Sequence, residues 1–486
     1  MTVATLNMVR FDRRLRASLQ AQLYRQIREL IISGQLRPGL RIPSSRDLVG
    51  MLGVSRNTIV YALDRLVAEG YLISRIGSGI YVANLPTRAT ISVAVKTSNS
   101  ATKSARVSRM ATRLLTENIS PEYPSNKVRP FRPCQPAVEY FPIRSWNRAR
   151  SYALRAEPRE IFGEGEAAGL ARLRRALAGY LRDARGVRCT AEQIVITAGT
   201  QQALSLIASL LLDAGDPVWI EDPGYLGARA VFRSWGARLI AVPIDSDGLS
   251  ISDRLTELPR LIYCTPSRQF PLGTTMTINR RLALLEFARQ NDVWIVEDDY
   301  DSEFRYVDRP LPSLQGLTGN GNVIYTGSFS KVLFPSLRLG YLVLPEGLVE
   351  LFRKAKEIAD ASSPTIDQAT VAVFIEEGFF STHVRRMRSV YRERLEIFLN
   401  EARRCLNGFL TFPSIEAGMD ATGWLERGMD DLQVSKQLMA AGVVAPPLST
   451  YSIGPCPPGL VFGFTAFSPA QIRSGIRVIT NITQKA

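Results

Sequence analysis

A chain of 486 residues is too long for one compact core, so two or more domains are expected. Its five cysteines (Cys134, Cys189, Cys264, Cys405, Cys456) are scattered with no CxxC pair, and it has one histidine, His383, which together argue against a disulfide framework, a metal site or a His-based triad. The net charge of +15 is uneven: residues 1–83 hold 12 Arg against 5 acids (+7), residues 84–113 add 6 basic residues and no acid (+6), and the remaining 373 carry about +2.

A basic module joined to a near-neutral one suggests a polyanion-binding head on a body with another task. No apolar run reaches membrane-span length and no charged-then-apolar export signal opens the chain, so a cytoplasmic protein without a membrane partner is expected. His383 falls in a basic helical pattern and reads as a solvated surface residue.

In residues 1–83, apolar positions at Leu19, Leu23, Ile27, Leu30 and Ile31 form one face of a helix that Gly34 ends. Ser44 and Ser45 can cap a second short helix carrying Leu48, Met51 and Leu52, and Gly53 breaks it. Ser55 caps a third, with Ile59, Ala62, Leu63 and Leu66 on its buried side. Tyr71-Leu72-Ile73 and Ile80-Tyr81-Val82 flank Gly77-Ser78-Gly79 as a small hairpin. This order is that of a winged helix-turn-helix, whose third helix enters the DNA major groove by its N-terminal end. That end reads Ser55-Arg56-Asn57-Thr58: hydroxyls for phosphates, arginine for guanine and asparagine for adenine. A small helical protein-binding domain with a solvated basic face is the alternative. The stretch from Pro43 to Leu72 and the G-S-G-I-Y-V wing resemble the GntR-type winged-helix domain. That resemblance puts Arg46, Ser55, Arg56, Asn57, Thr58 and Gly77 at the contacts to a double-stranded operator.

Residues 87–108 are rich in Ser, Thr, Ala and Lys, without sustained periodicity, and the stretch 84–128 reads as a flexible basic tether, the alternative being a long loop of the body. From 129 to 486, short apolar runs (Ile194–Ile196, Val218–Ile220, Leu239–Val242, Leu261–Cys264, Val293–Val296, Val323–Tyr325, Leu339–Leu344) alternate with amphipathic helices. Such alternation predicts an α/β fold with a mostly parallel sheet, whose ligands collect at the C-terminal strand ends.

The polar clusters fall at those ends. Gly199 and Thr200 open a helix, as a phosphate site or as a plain cap. Tyr225 offers a face to a flat ring, or packs in a turn. Glu297-Asp298-Asp299 could place one acid against a pyridinium, or form a solvated loop. Ser328, Ser330 and Arg338 suit a phosphate, and Lys331 between two apolar runs supplies an amine, or simply points into water. Together they describe a pyridoxal 5'-phosphate (PLP) site with a lysine Schiff base.

The blocks T-A-G-T-Q-Q-A-L, E-D-P-G-Y, T-P-S-R-Q-F-P-L-G, E-D-D-Y-D-S-E-F and S-F-S-K-V-L-F-P-S-L-R-L-G-Y look like those of fold-type I PLP aminotransferases. With the head, they resemble MocR/GabR-type transcriptional regulators over nearly the whole chain. The resemblance implies that Lys331 carries the cofactor, Asp298 pairs with the pyridine nitrogen, Tyr300 bonds the ring hydroxyl, Tyr225 stacks on the ring, and Thr200, Ser328 and Arg338 hold the phosphate. It also implies a head-to-tail homodimer that senses PLP or an amino compound. Two departures stand out: Val461 occupies the place of the expected carboxylate-gripping arginine, and Phe270 or Gln269 that of an asparagine near the ring. At most residual transaminase turnover is expected, the alternatives being a working aminotransferase with a DNA-binding head and a body that only dimerises.

Overall fold

The computed structural model describes residues 6, 8–12, 17–75, 77–84, 107–121, 129–251, 257–307, 312–318 and 321–483. The chain forms two compact units, the second beginning at Val107.

The first unit holds three helices, α1 (Leu19–Ile32), α2 (Ser45–Leu52) and α3 (Arg56–Ala68), and a hairpin of β1 (Leu72–Arg75) and β2 (Gly79–Val82). Each helix starts on a serine. Ser44 and Asp47 bond reciprocally across the first turn of α2, and Ser55 Oγ accepts from the Thr58 amide at the start of α3. Leu23, Ile27, Leu48, Ile59, Leu63 and Leu66 meet in one small core. The apolar periodicity in the sequence is the face of each helix that closes this core.

Most of the stretch read as a tether, 85–106 and 122–128, lies outside the described residues. The part between them, 107–121, belongs to the second unit. Helix α4 (Arg109–Leu114), capped by Ser108, lays Arg113 across Gly236, and Glu117 sits 3.9 Å from Arg233.

The second unit is built on an eight-stranded sheet in the order β3 (Ile194–Thr197), β10 (Gly340–Val343), β9 (Val323–Ser328), β8 (Trp294–Asp299), β7 (Leu261–Cys264), β4 (Pro217–Asp222), β5 (Arg238–Asp245), β6 (Gly248–Leu249). From β9 to β5 the neighbours are parallel. Both faces are covered, which is why these strands read as unbroken apolar runs. Ile220, Tyr263, Val296 and Ile324 pack on one face beneath helices α5 (Thr200–Leu211) and α6 (Leu226–Trp235). Trp219, Ile262, Ile295 and Val323 point the other way, toward helix α7 (Ile278–Asn291).

Strand β10 runs antiparallel between β3 and β9, with Gly340 opposite both Thr197 and Ser328. Arg338, two residues before it, is thereby returned to the edge at which β3, β4, β7, β8 and β9 end. A second, antiparallel sheet of β11 (Leu410–Thr411), β12 (Asp420–Leu425) and β13 (Gly459–Gly463) lies toward the C-terminus. Among the described residues no helix is long and apolar enough to cross a membrane, and no cluster of metal-ligating side chains occurs.

Candidate functional site

At the strand-end edge of the large sheet lies a pocket lined by Cys134, Thr200, Gln201, Tyr225, Tyr263, Thr265, Phe270, Asp298, Tyr300, Ser328, Ser330, Lys331 and Arg338. The four polar loops and the lysine predicted from the sequence therefore come together, with Gly199 at the N-cap of α5 beside them.

The acidic run at the end of β8 shows how the edge is wired. All three acids are buried, so the solvated-loop reading does not hold. Glu297 accepts the backbone amides of Leu314 and Gln315 on one side of the strand. Asp299, two residues on and facing the same way, accepts from the Tyr325 hydroxyl and lies 3.3 Å from Arg185 Nε. Asp298 between them points into the pocket. Its Oδ2 accepts from the Tyr263 hydroxyl at 2.7 Å, while its buried Oδ1 has no partner. Burial pushes the Asp298 carboxyl up to about 7, against the pull of the Tyr263 hydrogen bond. An orphaned carboxylate oxygen in a pocket of this kind calls for a ligand donor, and a protonated ring nitrogen is such a donor.

Lys331 stands half-buried just beyond β9 and donates from Nζ to the Cys134 carbonyl at 3.1 Å. Arg338 adopts a left-handed backbone (φ 49°), is exposed, and makes no ion pair with any described residue. Its guanidinium lies over Gly199, where a Cβ would stand 3.8 Å from Arg338 Cζ. Gly199 itself has φ 103°, a conformation that favours glycine and lets the chain turn into α5. Ser328 Oγ accepts from the Ser330 amide, closing the loop between β9 and Lys331. An unpaired guanidinium beside a helix N-terminus and a serine loop matches the needs of a phosphate.

Tyr225 is held by Gln201, whose Nε2 donates to its hydroxyl at 3.0 Å, and burial pushes its phenol up to about 12. Tyr300 Oη accepts from Arg268 Nη1 at 2.6 Å, so its own hydrogen remains to be donated to another acceptor. Arg268 is buried and also meets Asp301 and the carbonyls of Ala417 and Asp420. Asp420 in turn accepts from the Cys134 amide and thiol. The second sheet is thus tied to the floor of the pocket.

Three features escaped the sequence. Tyr263 lay within a run read only as a strand, because an apolar run does not say which neighbour each side chain faces. Cys134 stood in a proline-rich stretch with no periodicity. His383 is not a solvated surface residue: it is 5 % exposed, sits on the 27-residue helix Phe379–Cys405, and its Nε2 lies 3.0 Å from the Val332 carbonyl. A carbonyl only accepts, so Nε2 carries the hydrogen. Burial holds the ring below the ordinary histidine range. His383 therefore props the backbone next to Lys331.

In the head, Arg46, Ser55, Arg56, Asn57 and Gly77 are exposed, and Gly77 turns the hairpin with φ 73°. Thr58 differs: it is buried, with its hydroxyl 2.9 Å from Ser55 Oγ, so it completes the helix cap. Arg41 is also exposed beside the wing, packed near Gly79.

Fold and site define a winged-helix head joined to a body of the PLP-dependent aminotransferase class. Residues 19–82 match the bacterial regulatory proteins of the gntR family, and residues 136–479 match aminotransferase class I and II. A probable rhizopine catabolism regulatory protein, MocR, of Rhizobium meliloti is 40 % identical over 96 % of this chain and 94 % of its own. The HTH-type pyridoxine biosynthesis transcriptional regulator PdxR of Corynebacterium glutamicum is 32 % identical over 94 % of each chain. Among solved structures, the α-aminoadipate aminotransferase LysN of Thermus thermophilus, complexed with N-(5'-phosphopyridoxyl)-L-leucine, superposes with a TM-score of 0.68 at 28 % identity, covering 78 % of this chain and 95 % of its own. The chain belongs to the MocR-type family of transcriptional regulators, in which a gntR-type head is joined to an aminotransferase-like body. Its cofactor is pyridoxal 5'-phosphate.

Proposed function

We propose that this cytoplasmic regulator senses PLP or an amino compound through a Schiff base at Lys331, and that the state of that amine sets how the heads occupy an operator. The cofactor supplies an aldehyde that the lysine amine captures and a ring that withdraws electrons. Asp298 Oδ1 would take the ring N–H, Tyr300 would donate to the ring hydroxyl, and Tyr225 would cover the ring face. Thr200, Gly199, Ser328, Ser330 and Arg338 would hold the phosphate. On DNA, Arg56 and Asn57 would read base edges, while Arg46, Ser55 and Gly77 lie against the backbone; Thr58 would act through the cap. Two copies would associate head to tail, each head resting against the partner's body.

The observation that carries this reading is the unpaired Asp298 Oδ1, buried in the same pocket as Lys331 and an exposed, unpaired Arg338. An effector that binds one state of the body better than another shifts the equilibrium of the heads by that difference in affinity and no more. The test is spectroscopic and then functional. Protein reconstituted with PLP should show an imine absorbance band that Lys331→Ala lacks. DNA fragments selected on the purified protein should then change affinity when an amine is added. A colourless protein in excess PLP, or operator binding indifferent to PLP and to every amine tried, refutes the proposal.

A further inference from the structure

The pocket around Lys331 has two chemically different ends. At one end lie Arg338, Gly199 and the serine loop. At the other, the Phe270 ring sits edge-on to Tyr225, Tyr300 and Tyr451, with centroids 5.4 to 6.2 Å apart. Behind Phe270 an apolar cluster closes with Leu226, Leu448 and Val461, and Val461 is 0 % exposed on β13 opposite Thr422.

Among the described residues that line the pocket, the cations are Lys331 and Arg338. Lys331 is the amine that an incoming amine would displace. Arg338 lies over Gly199 at the phosphate end. Arg268, which bonds Tyr300 behind that end, is already used: Nε donates to Ala417 O at 2.9 Å, Nη2 to Asp420 O at 2.5 Å, and Nη1 to Tyr300 Oη, with Asp301 3.3 Å away. The other charge facing the cavity is the Asp298 carboxyl, of the wrong sign. A carboxylate carried next to a ligand's amino group would lose its water among aromatic edges and gain no counter-ion. An apolar substituent there would lose nothing.

Resting on the Schiff-base reading above, we propose that the effector is a primary amine that bears no carboxylate beside its nitrogen. The remainder of the molecule is apolar, to suit the wall that Phe270 and Tyr300 form.

The test uses the full chain reconstituted with PLP and two matched pairs, 2-phenylethylamine against L-phenylalanine and butylamine against L-norvaline. Each pair differs by one carboxylate. The readout is the shift of the imine absorbance band, plotted against the concentration of unprotonated amine so that differences in amine basicity drop out. The plain amine of each pair is expected to half-saturate at a concentration lower by roughly tenfold or more. Equal or tighter binding of the amino acid, as a cation supplied by a second copy of the chain would produce, overturns the inference. So does a band that neither member of a pair shifts. If no imine band forms with PLP at all, the Lys331 reading fails and this inference goes with it; a band that prefers the amino acids sinks this inference alone.

Discussion

Replacing Asp298 with asparagine should weaken cofactor binding and yet relieve the cofactor-free protein of a burden at neutral pH. The carboxyl rises from an ordinary 3.8 to about 7 because burial disfavours its charge. A folded value above the unfolded one means that folding costs nothing extra well below pH 3.8, where both states are protonated. Stability then falls as pH rises toward 7 and stays low above it. Between pH 5 and pH 8 the folded group would hold its proton for about two pH units longer than the unfolded one, a loss of ~3 kcal/mol. Asparagine has no such dependence. Its spare amide hydrogens cost something in the pocket, but equally at both pH values, so comparing the two pH values isolates the charge. Glu221, Glu297 and Asp301 are likewise pushed up to about 7 by burial, and their contribution is common to both proteins. All five tryptophans (Trp146, Trp219, Trp235, Trp294, Trp424) lie in the body, so denaturant unfolding followed by tryptophan fluorescence reports the body alone. Relative to the parent, the variant should gain ~3 kcal/mol on going from pH 5 to pH 8. Its PLP affinity should fall roughly 10- to 150-fold, the worth of one charged hydrogen bond. Parallel pH profiles for the two proteins, or unchanged PLP affinity, would refute the reasoning.

Arg56→Ala, on the exposed first turn of α3, should weaken operator binding by about 1–3 kcal/mol in a fluorescence-anisotropy titration and leave the imine band unchanged; equal DNA affinity contradicts the docking. Gly418→Ala places a Cβ 1.9 Å from Arg268 Nε at φ 89°, so the body should lose about 2–4 kcal/mol in denaturant unfolding. His383→Ala removes the prop beneath Val332 and leaves a buried carbonyl unpaired, costing about 1–3 kcal/mol of body stability and raising the PLP concentration needed for half-saturation. A variant with parental values in both assays would show that the contact contributes nothing.

Local order was legible because it is written in short spacings. Serine before an apolar periodicity gave α2 and α3, and the apolar runs named from the sequence are strands of the two-faced sheet. Polar loops after those runs pointed to the strand-end edge, where the pocket lies. Burial of single residues was harder. His383 and Arg268 look like surface residues by type, but each is covered by elements distant in sequence.

The sequence by itself determined which residues are chemically able to serve: one lysine in a serine loop, an acid at a strand end, an arginine and asparagine at a capped helix start. Those depend on side-chain type and on neighbours within a few positions, which the chain carries directly. Only the tertiary structure decided their partners. Antiparallel β10 brought Arg338 back over Gly199, strand order set Tyr263 against Asp298, and the second sheet engaged Arg268. Such pairings join residues 35 to 152 positions apart, and they are fixed by how strands are ordered and layers packed, a property of the whole chain that no local window contains.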